Sequence, residues 1–395
     1  MKLFNRLKRV TNSNSFIPEI DGLRFIAIAS VILCHFNVFF LLKNPGGYTT
    51  QTSDHGWLNF VTENGNYGVH LFFAISGFIL FLPFAKHHLR NEKKPVLGDY
   101  YIRRLTRIEP PYFIVMVGLF ILWLITHKLT FEKNLPNLLA SLTYTHNLFY
   151  GKDVLPVINT VAWSLEVEVQ FYLLAPFMAS LFTLGKSQRR TIVVLASVAM
   201  IFLQTLYTPP FLSLYNYLQF FLIGFLLADL FITGDRLFPK PNVVATVVLG
   251  LLFFGMIWVF RPEAEASFAL RMGWSVLLPT LILSFYYLVL FTPFWKALFS
   301  NRLLSTIGGM CYSIYLLHNP IIWGYGKLPF SRKFTDLYLA DWAINLSILV
   351  LIILSISTAF YMLVEKPCMN RYWMSDLKSQ IAAFFRRDAK QSESN

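Results

Sequence analysis

The chain is expected to be all-α: a polytopic membrane protein with about ten transmembrane helices in one bundle and both termini cytoplasmic. Three observations predict this. Of its 395 residues, 55% are hydrophobic and only 14% charged, whereas a soluble chain carries charge at nearer a quarter of its positions. Ten apolar runs recur along the whole length, each able to cross ~30 Å of hydrocarbon at ~1.5 Å per residue. Lys and Arg are also shared very unequally between the two sets of segments that alternate with those runs.

The runs fall at residues 22–42, 67–85, 111–126, 157–183, 190–207, 211–233, 243–260, 272–291, 307–325 and 342–364. The third is short and the fourth is long and polar. Residues 135–150 are moderately apolar, as in a re-entrant or interfacial segment. The basic start "MKLFNRLKRV" resembles the first part of a signal peptide. The run that follows is long, lacks an A-x-A cleavage site and carries Arg24 and His35, so it reads as a retained first helix.

Segments on the side of the termini hold 24 Lys and Arg, and those on the other side hold nine. By the positive-inside rule the termini are cytoplasmic. The net charge of +13 is therefore mostly a topology signal, and no nucleic-acid motif accompanies it. Residues 1–370 read as one membrane domain and 371–395 as a polar, disordered cytoplasmic tail. Cys34 and Cys311 lie inside apolar runs and Cys368 just after the last. Such placement suggests neither a disulfide framework nor a metal site, and the three serve as small apolar fillers.

The polar residues inside the runs are the candidates for chemistry. With the amino terminus inside, Arg24 sits at the cytoplasmic mouth of the first helix and His35 ~16 Å further in, near mid-membrane. In "IGGMCYSIYLLHNP" of the ninth run, His318 reaches the same depth, eleven residues past Ile307. Two histidines at one level on two helices are placed to face one cavity, and an ionisable group in a span is functional by default. The competing role for each is interhelical hydrogen-bonding glue.

In the fourth run, Ser164, Glu168 and Tyr172 form one stripe at four-residue spacing, and Glu166 and Gln170 form another. A carboxylate at that depth must be paired, protonated or in a wet cavity. "DYYIRRLTRIEPPYF" sets Arg103, Arg104 and Arg107 just before Pro110 and Pro111, where the third helix is expected to begin. If that stretch is helical, Arg104 and Arg107 share a face, an arrangement suited to bidentate phosphate binding. Ordinary positive-inside anchoring or contact with anionic lipid is the alternative.

Six motifs in order resemble the acyltransferase-3 family of integral-membrane acyltransferases. They are "DGLRFIAIASVILCHF", with ten residues between arginine and histidine, "YGVHLFFAISGFIL", "RRLTRIEPPY", "WSLEVEVQFYLLAP", "CYSIYLLHNPII" and the closing "VEKP". The likeness runs from Asp21 to Pro367. Two departures stand out: His70 replaces an aspartate common in relatives, and Glu166 stands where a small residue is usual. The sequence shows no appended hydrolase-like domain of the kind some members carry. Transfer is therefore expected either directly to the acceptor or through a separate periplasmic transferase.

The resemblance implies a cytoplasmic acyl-CoA donor, most often acetyl-CoA, with no tightly bound cofactor. It also implies a hydroxyl acceptor on a surface glycan or lipid-linked sugar such as O-antigen or exopolysaccharide, at a bacterial inner membrane. On this view Arg24, Arg103, Arg104 and Arg107 hold the donor's phosphates. His35 acts as general base or transient acyl carrier, and Glu168 or His318 orients it. Two rivals remain open: a proton-coupled transporter of a small metabolite or lipid-linked sugar, and a lipid-binding assembly component without chemistry.

Overall fold

The computed structural model describes residues 16–43, 56–236, 242–260, 267–329 and 331–370, together with Leu7. The basic residues Lys2, Arg6, Lys8 and Arg9 and the tail 371–395 lie outside the described residues. Those described form helices and turns, with no strand among them. In order the helices are α1 (Pro18–Lys43), α2 (Gly56–Glu63), α3 (Gly68–Arg90), α4 (Leu97–Ile125), α5 (Phe131–Leu142), α6 (His146–Tyr150), α7 (Ala162–Met178) and α8 (Lys186–Leu206). They continue as α9 (Leu218–Thr233), α10 (Val243–Val259), α11 (Phe268–Phe291), α12 (Pro293–Phe299), α13 (Arg302–Gly309), α14 (Cys311–Tyr325) and α15 (Tyr338–Phe360). A π-helical turn, Tyr361–Glu365, closes the bundle.

Among the described residues, seven helical stretches are long and apolar enough to cross a membrane. The other three of the ten runs are shorter. α9 and α10 have 16 and 17 residues, and the ninth run is broken at Met310 into α13 and α14. Just before the break, α13 packs tightly on α1. Gly308 lies against the backbone of Asp21 so closely that a Cβ would overlap the Asp21 carbonyl. The chain then resumes as a new helix whose first N–H groups lie inside the bundle.

The third run also differs from expectation. Its helix does not begin at the prolines but at Leu97, and it carries Pro110 and Pro111 in its interior. The three arginines therefore lie on a helix and not in a loop. The expected interfacial segment 135–150 forms α5 and the single turn α6.

Two apolar clusters make the core, and α1 contributes to both. One joins α1 to α3, α7, α9 and α11, and the other joins it to α4, α14 and α15. α3 crosses α9 closely, with Gly77 and Gly224 facing each other, and a Cβ on either would strike the other helix's backbone. Small residues permit such close approach in helical membrane bundles, where packing replaces the hydrophobic effect as the attraction.

Proline inside a helix leaves the carbonyl four residues earlier without its N–H, and hydrocarbon offers no water in exchange. Side chains fill two of these gaps. Pro320 frees the Leu316 carbonyl, which accepts from Asn159 Nδ2 at 2.9 Å. Pro176 frees the Tyr172 carbonyl, which accepts from Tyr100 Oη at 3.1 Å. The first bond ties the segment before α7 to α14, and the second ties α4 to α7.

α8 and α9 are clamped by Asp229, fully buried between Arg189 (2.5 Å) and Arg190. Asp229→Ala is expected to cost about 3–5 kcal/mol, because it strands buried guanidinium charge. A melting curve of the detergent-purified variant, compared with Asp229→Asn, measures it. An unchanged transition would show that the clamp contributes nothing.

Candidate active site

His35 lies eleven positions after Arg24, which is close to three whole turns at 3.6 residues per turn, so the two share one face of α1. That face looks onto α7 and α14. At mid-bundle, His35 Nδ1 lies 2.9 Å from His318 Nε2. The rings are parallel within 3°, with centroids 5.1 Å apart. The N···N distance plus the two ring radii accounts for that separation, so the contact is edge to edge and in plane.

The backbone decides which nitrogen carries each proton. His318 Nδ1 faces the carbonyls of Tyr315 at 2.7 Å and Ile314 at 3.2 Å. A carbonyl only accepts, so His318 Nδ1 must be the N–H. In the neutral ring its Nε2 is then an acceptor, and His35 Nδ1 must donate to it. The remaining nitrogen, His35 Nε2, keeps an unshared pair. His318 is fully buried, whereas His35 retains partial exposure.

α14 is held in place at its start by a residue the sequence did not single out as functional. Glu365, buried in the π-helical turn, accepts from the backbone N–H of Ser313 at 3.0 Å and from its hydroxyl at 2.5 Å. It thereby caps the first turn of the helix that carries His318. The carboxylate also suits the positive end of the helix. Glutamate in "VEKP" was visible in the sequence, but nothing local pairs it with a helix start 52 residues earlier.

The two stripes of α7 diverge as their spacing requires. Ser164 Oγ meets Tyr315 Oη at 2.6 Å, beside the imidazole pair. Glu168 accepts a short hydrogen bond from Ser76 of α3 and one from Tyr172, with Arg24 and Arg107 within electrostatic range. Glu168 makes no hydrogen bond to either imidazole among the described residues; it sits on the arginine side of them. On the other face, Glu166 accepts from the Asn147 backbone at 2.8 Å, and Gln170 accepts from the Leu214 backbone at 2.8 Å. Glu166 thus holds α6, and Gln170 holds the short helical turn Leu214–Asn216.

The four arginines differ in environment. Arg24 is 8% exposed and ion-paired with Asp21. Arg104 donates to its own Tyr100 carbonyl at 2.9 Å, stacks over the Tyr100 ring at 3.8 Å and leaves Nε buried without a partner. Arg107, half-buried, shares the Arg104 face and looks toward Glu168 and Tyr172. Arg103 is exposed and bonds the Asp99 carbonyl. His70 stands apart from both imidazoles, edge-on to Phe220 at 4.5 Å and near Tyr67 and Tyr217. Among the described residues no three His, Cys, Asp or Glu side chains gather into a metal-ligand set.

α1, α4 and α14 run parallel. Near the start of α14, Tyr312 Oη bonds the Ile108 carbonyl of α4 at 2.8 Å; near the ends of α1 and α14, Lys43 Nζ lies 5.7 Å from the Trp323 ring centroid, and Trp323 shares a cleft with Trp123 near the end of α4. The guanidinium groups therefore gather at one end of the bundle and the imidazoles at its middle. At the other end is a cleft of about 200 Å³ between Trp123 and Trp323.

Comparison with known proteins identifies the family. The chain matches the acyltransferase-3 family model, described as an acyltransferase domain, over residues 17–364. The O-acetyltransferase OatA of Staphylococcus aureus, in strains NCTC 8325 / PS 47 and COL, is 26% identical over 363 residues, covering 81% of this chain and 53% of its own. SACOL0978 of strain COL, also named as an O-acetyltransferase, is 27% identical over 355 residues, covering 82% of this chain and 54% of its own. The chain thus spans about half the length of these relatives. No solved structure matches it. Since the family match takes in every helix from α1 to α15 and all the side chains described above except Glu365, this chain is a multi-pass membrane protein that belongs to the acyltransferase-3 family.

Proposed function

We propose that the chain is an O-acyltransferase of the bacterial cytoplasmic membrane with both termini inside, crossing it about ten times. It moves an acyl group, acetyl before others, from cytoplasmic acyl-CoA to a hydroxyl of a surface glycan or lipid-linked sugar. The observation that carries this reading is the polarity of the His35–His318 hydrogen bond, which leaves an unshared pair on His35 Nε2 midway between the two ends. The relatives named as O-acetyltransferases support the acyl group and the hydroxyl acceptor.

Donor phosphates bind at Arg104 and Arg107, whose faces coincide, with Arg103 at the entrance. Arg24 is already neutralised by Asp21 and meets the pantetheine arm rather than a phosphate. The acceptor oxygen attacks the thioester carbonyl carbon while His35 Nε2 takes its proton. The carbon–sulfur bond breaks, and the departing thiolate receives that proton to leave as free coenzyme A. Glu168 steadies the arginine side through Ser76 and Tyr172. The acylated product is final, or is passed to a separate periplasmic transferase.

Purified protein given acetyl-CoA and acceptor should release free coenzyme A. Solute movement without that release would instead make the chain a transporter. His35→Gln should lower transfer by ~10²–10⁴-fold with normal membrane abundance, since glutamine bonds but is no base. His318→Gln should retain more activity than His318→Ala, because the glutamine oxygen can still accept from His35 Nδ1. Equal loss in both would remove His318 from its orienting role.

Arg104→Ala and Arg107→Ala should raise the KM for acyl-CoA, and lysine at either position should rescue it only in part. An unchanged KM in both would make them lipid anchors. A fluorescent-protein fusion at Asn395 should glow and an alkaline-phosphatase fusion there should be inactive. The opposite result reverses the orientation and places the arginines on the wrong side for the donor.

A further inference from the structure

The cleft at the end of the bundle away from the arginines is lined by two indoles, Trp123 and Trp323, with Asn159, Thr160, Asn319 and Lys128. Large aromatic faces with a few fixed polar groups are the usual lining of sites that hold small polar molecules. The polar groups here are held firmly. Trp123 Nε1 donates to the Ile158 carbonyl at 3.0 Å, and Asn319 Nδ2 donates to Thr160 Oγ1 at 2.6 Å. Asn159 is 2% exposed; its Nδ2 is committed to Leu316, and its Oδ1 is buried with no hydrogen-bond partner. That oxygen is an acceptor lacking a donor.

The cleft is also cationic. Lys128 Nζ lies 3.7 Å from the Trp123 ring centroid and Lys43 Nζ 5.7 Å from that of Trp323. Lys327 joins them: the Lys128 ammonium is held below the usual lysine range by partial burial and by the charges of Lys327 and Lys43. None of the three lysines makes an ion pair with a carboxylate among the described residues. Asn319, which lines the cleft, is the residue after His318.

We propose that the cleft between Trp123 and Trp323 is the acceptor subsite, and that the acceptor it takes is an anionic saccharide. A pyranose stacks against indole, a hydroxyl donates to Asn159 Oδ1, and the carboxylate or phosphate of the sugar meets the lysines. The proposal rests on the acyl-transfer reading for the fate of the sugar, but the binding does not.

The test therefore uses no donor. Full-length protein in phosphatidylcholine nanodiscs is applied to an array of neutral saccharides and of saccharides bearing uronic acids or phosphodiesters. Retention confined to anionic saccharides, about tenfold weaker for Lys128→Gln and for Trp323→Ala, is the expected result. Trp323→Phe should recover most of the loss, which separates a missing ring face from a misfolded helix. Retention of neutral saccharides alone, no retention, or anionic retention untouched by the substitutions would overturn the proposal. So would a shift of tryptophan emission on adding phosphatidylglycerol to the nanodiscs when no saccharide is retained, which would make the cleft a lipid-headgroup site. Saccharide binding without coenzyme A release in the separate turnover assay would fail the acyl-transfer reading and leave the site standing.

Discussion

Two imidazoles joined edge to edge across 2.9 Å set the order of everything around them. A histidine in hydrocarbon is costly unless its polar atoms are bonded. Here one ring is anchored on the carbonyls of its own helix and the second ring is anchored on the first. For that chain of bonds to hold, α14 must keep its register against α1 to within a fraction of an ångström. Glu365 at the start of α14 and Asn159 at Leu316 are the fastenings that keep it. Neither touches a histidine. Both act on the backbone that presents one.

The same constraint explains why polar side chains thread this bundle without making it unstable. Each break in a helix exposes a backbone group, and in lipid only the protein can answer it. Tyr100 answers at Pro176, Asn159 at Pro320 and Glu365 at the break after Met310. Each answer also ties two distant segments together, so the helix interruptions become the joints of the bundle. The apolar clusters supply bulk contact on either side of α1, while these bonds give position.

Much of this was legible in the sequence where it depended on local period. The equal depth of His35 and His318 followed from counting residues along two runs, and the structure brings the two together. The divergence of Ser164, Glu168 and Tyr172 from Glu166 and Gln170 followed from helical geometry alone. The misreadings arose where tertiary contact overrode local signal. Pro110 and Pro111 looked like a helix start but lie within α4, and Met310 looked like one more residue of a run but divides it into two helices. The partners of Glu365 and Asn159 lie 52 and 157 residues away, beyond any periodicity. The Trp123–Trp323 cleft is assembled from three separate segments and has no motif at all.

The direction of the histidine bonds has one more effect. A proton taken up at His35 Nε2 can redistribute across to His318, but it goes no further. The last link, His318 Nδ1–H to the Tyr315 carbonyl, ends on an amide oxygen that accepts a hydrogen bond without carrying a proton onward. The pair is thus a cul-de-sac and not a wire. A membrane that stores energy as a difference in proton activity can hold ionisable groups at its midplane only if they do not short-circuit it. In this bundle that insulation is built into the tautomer of one buried ring.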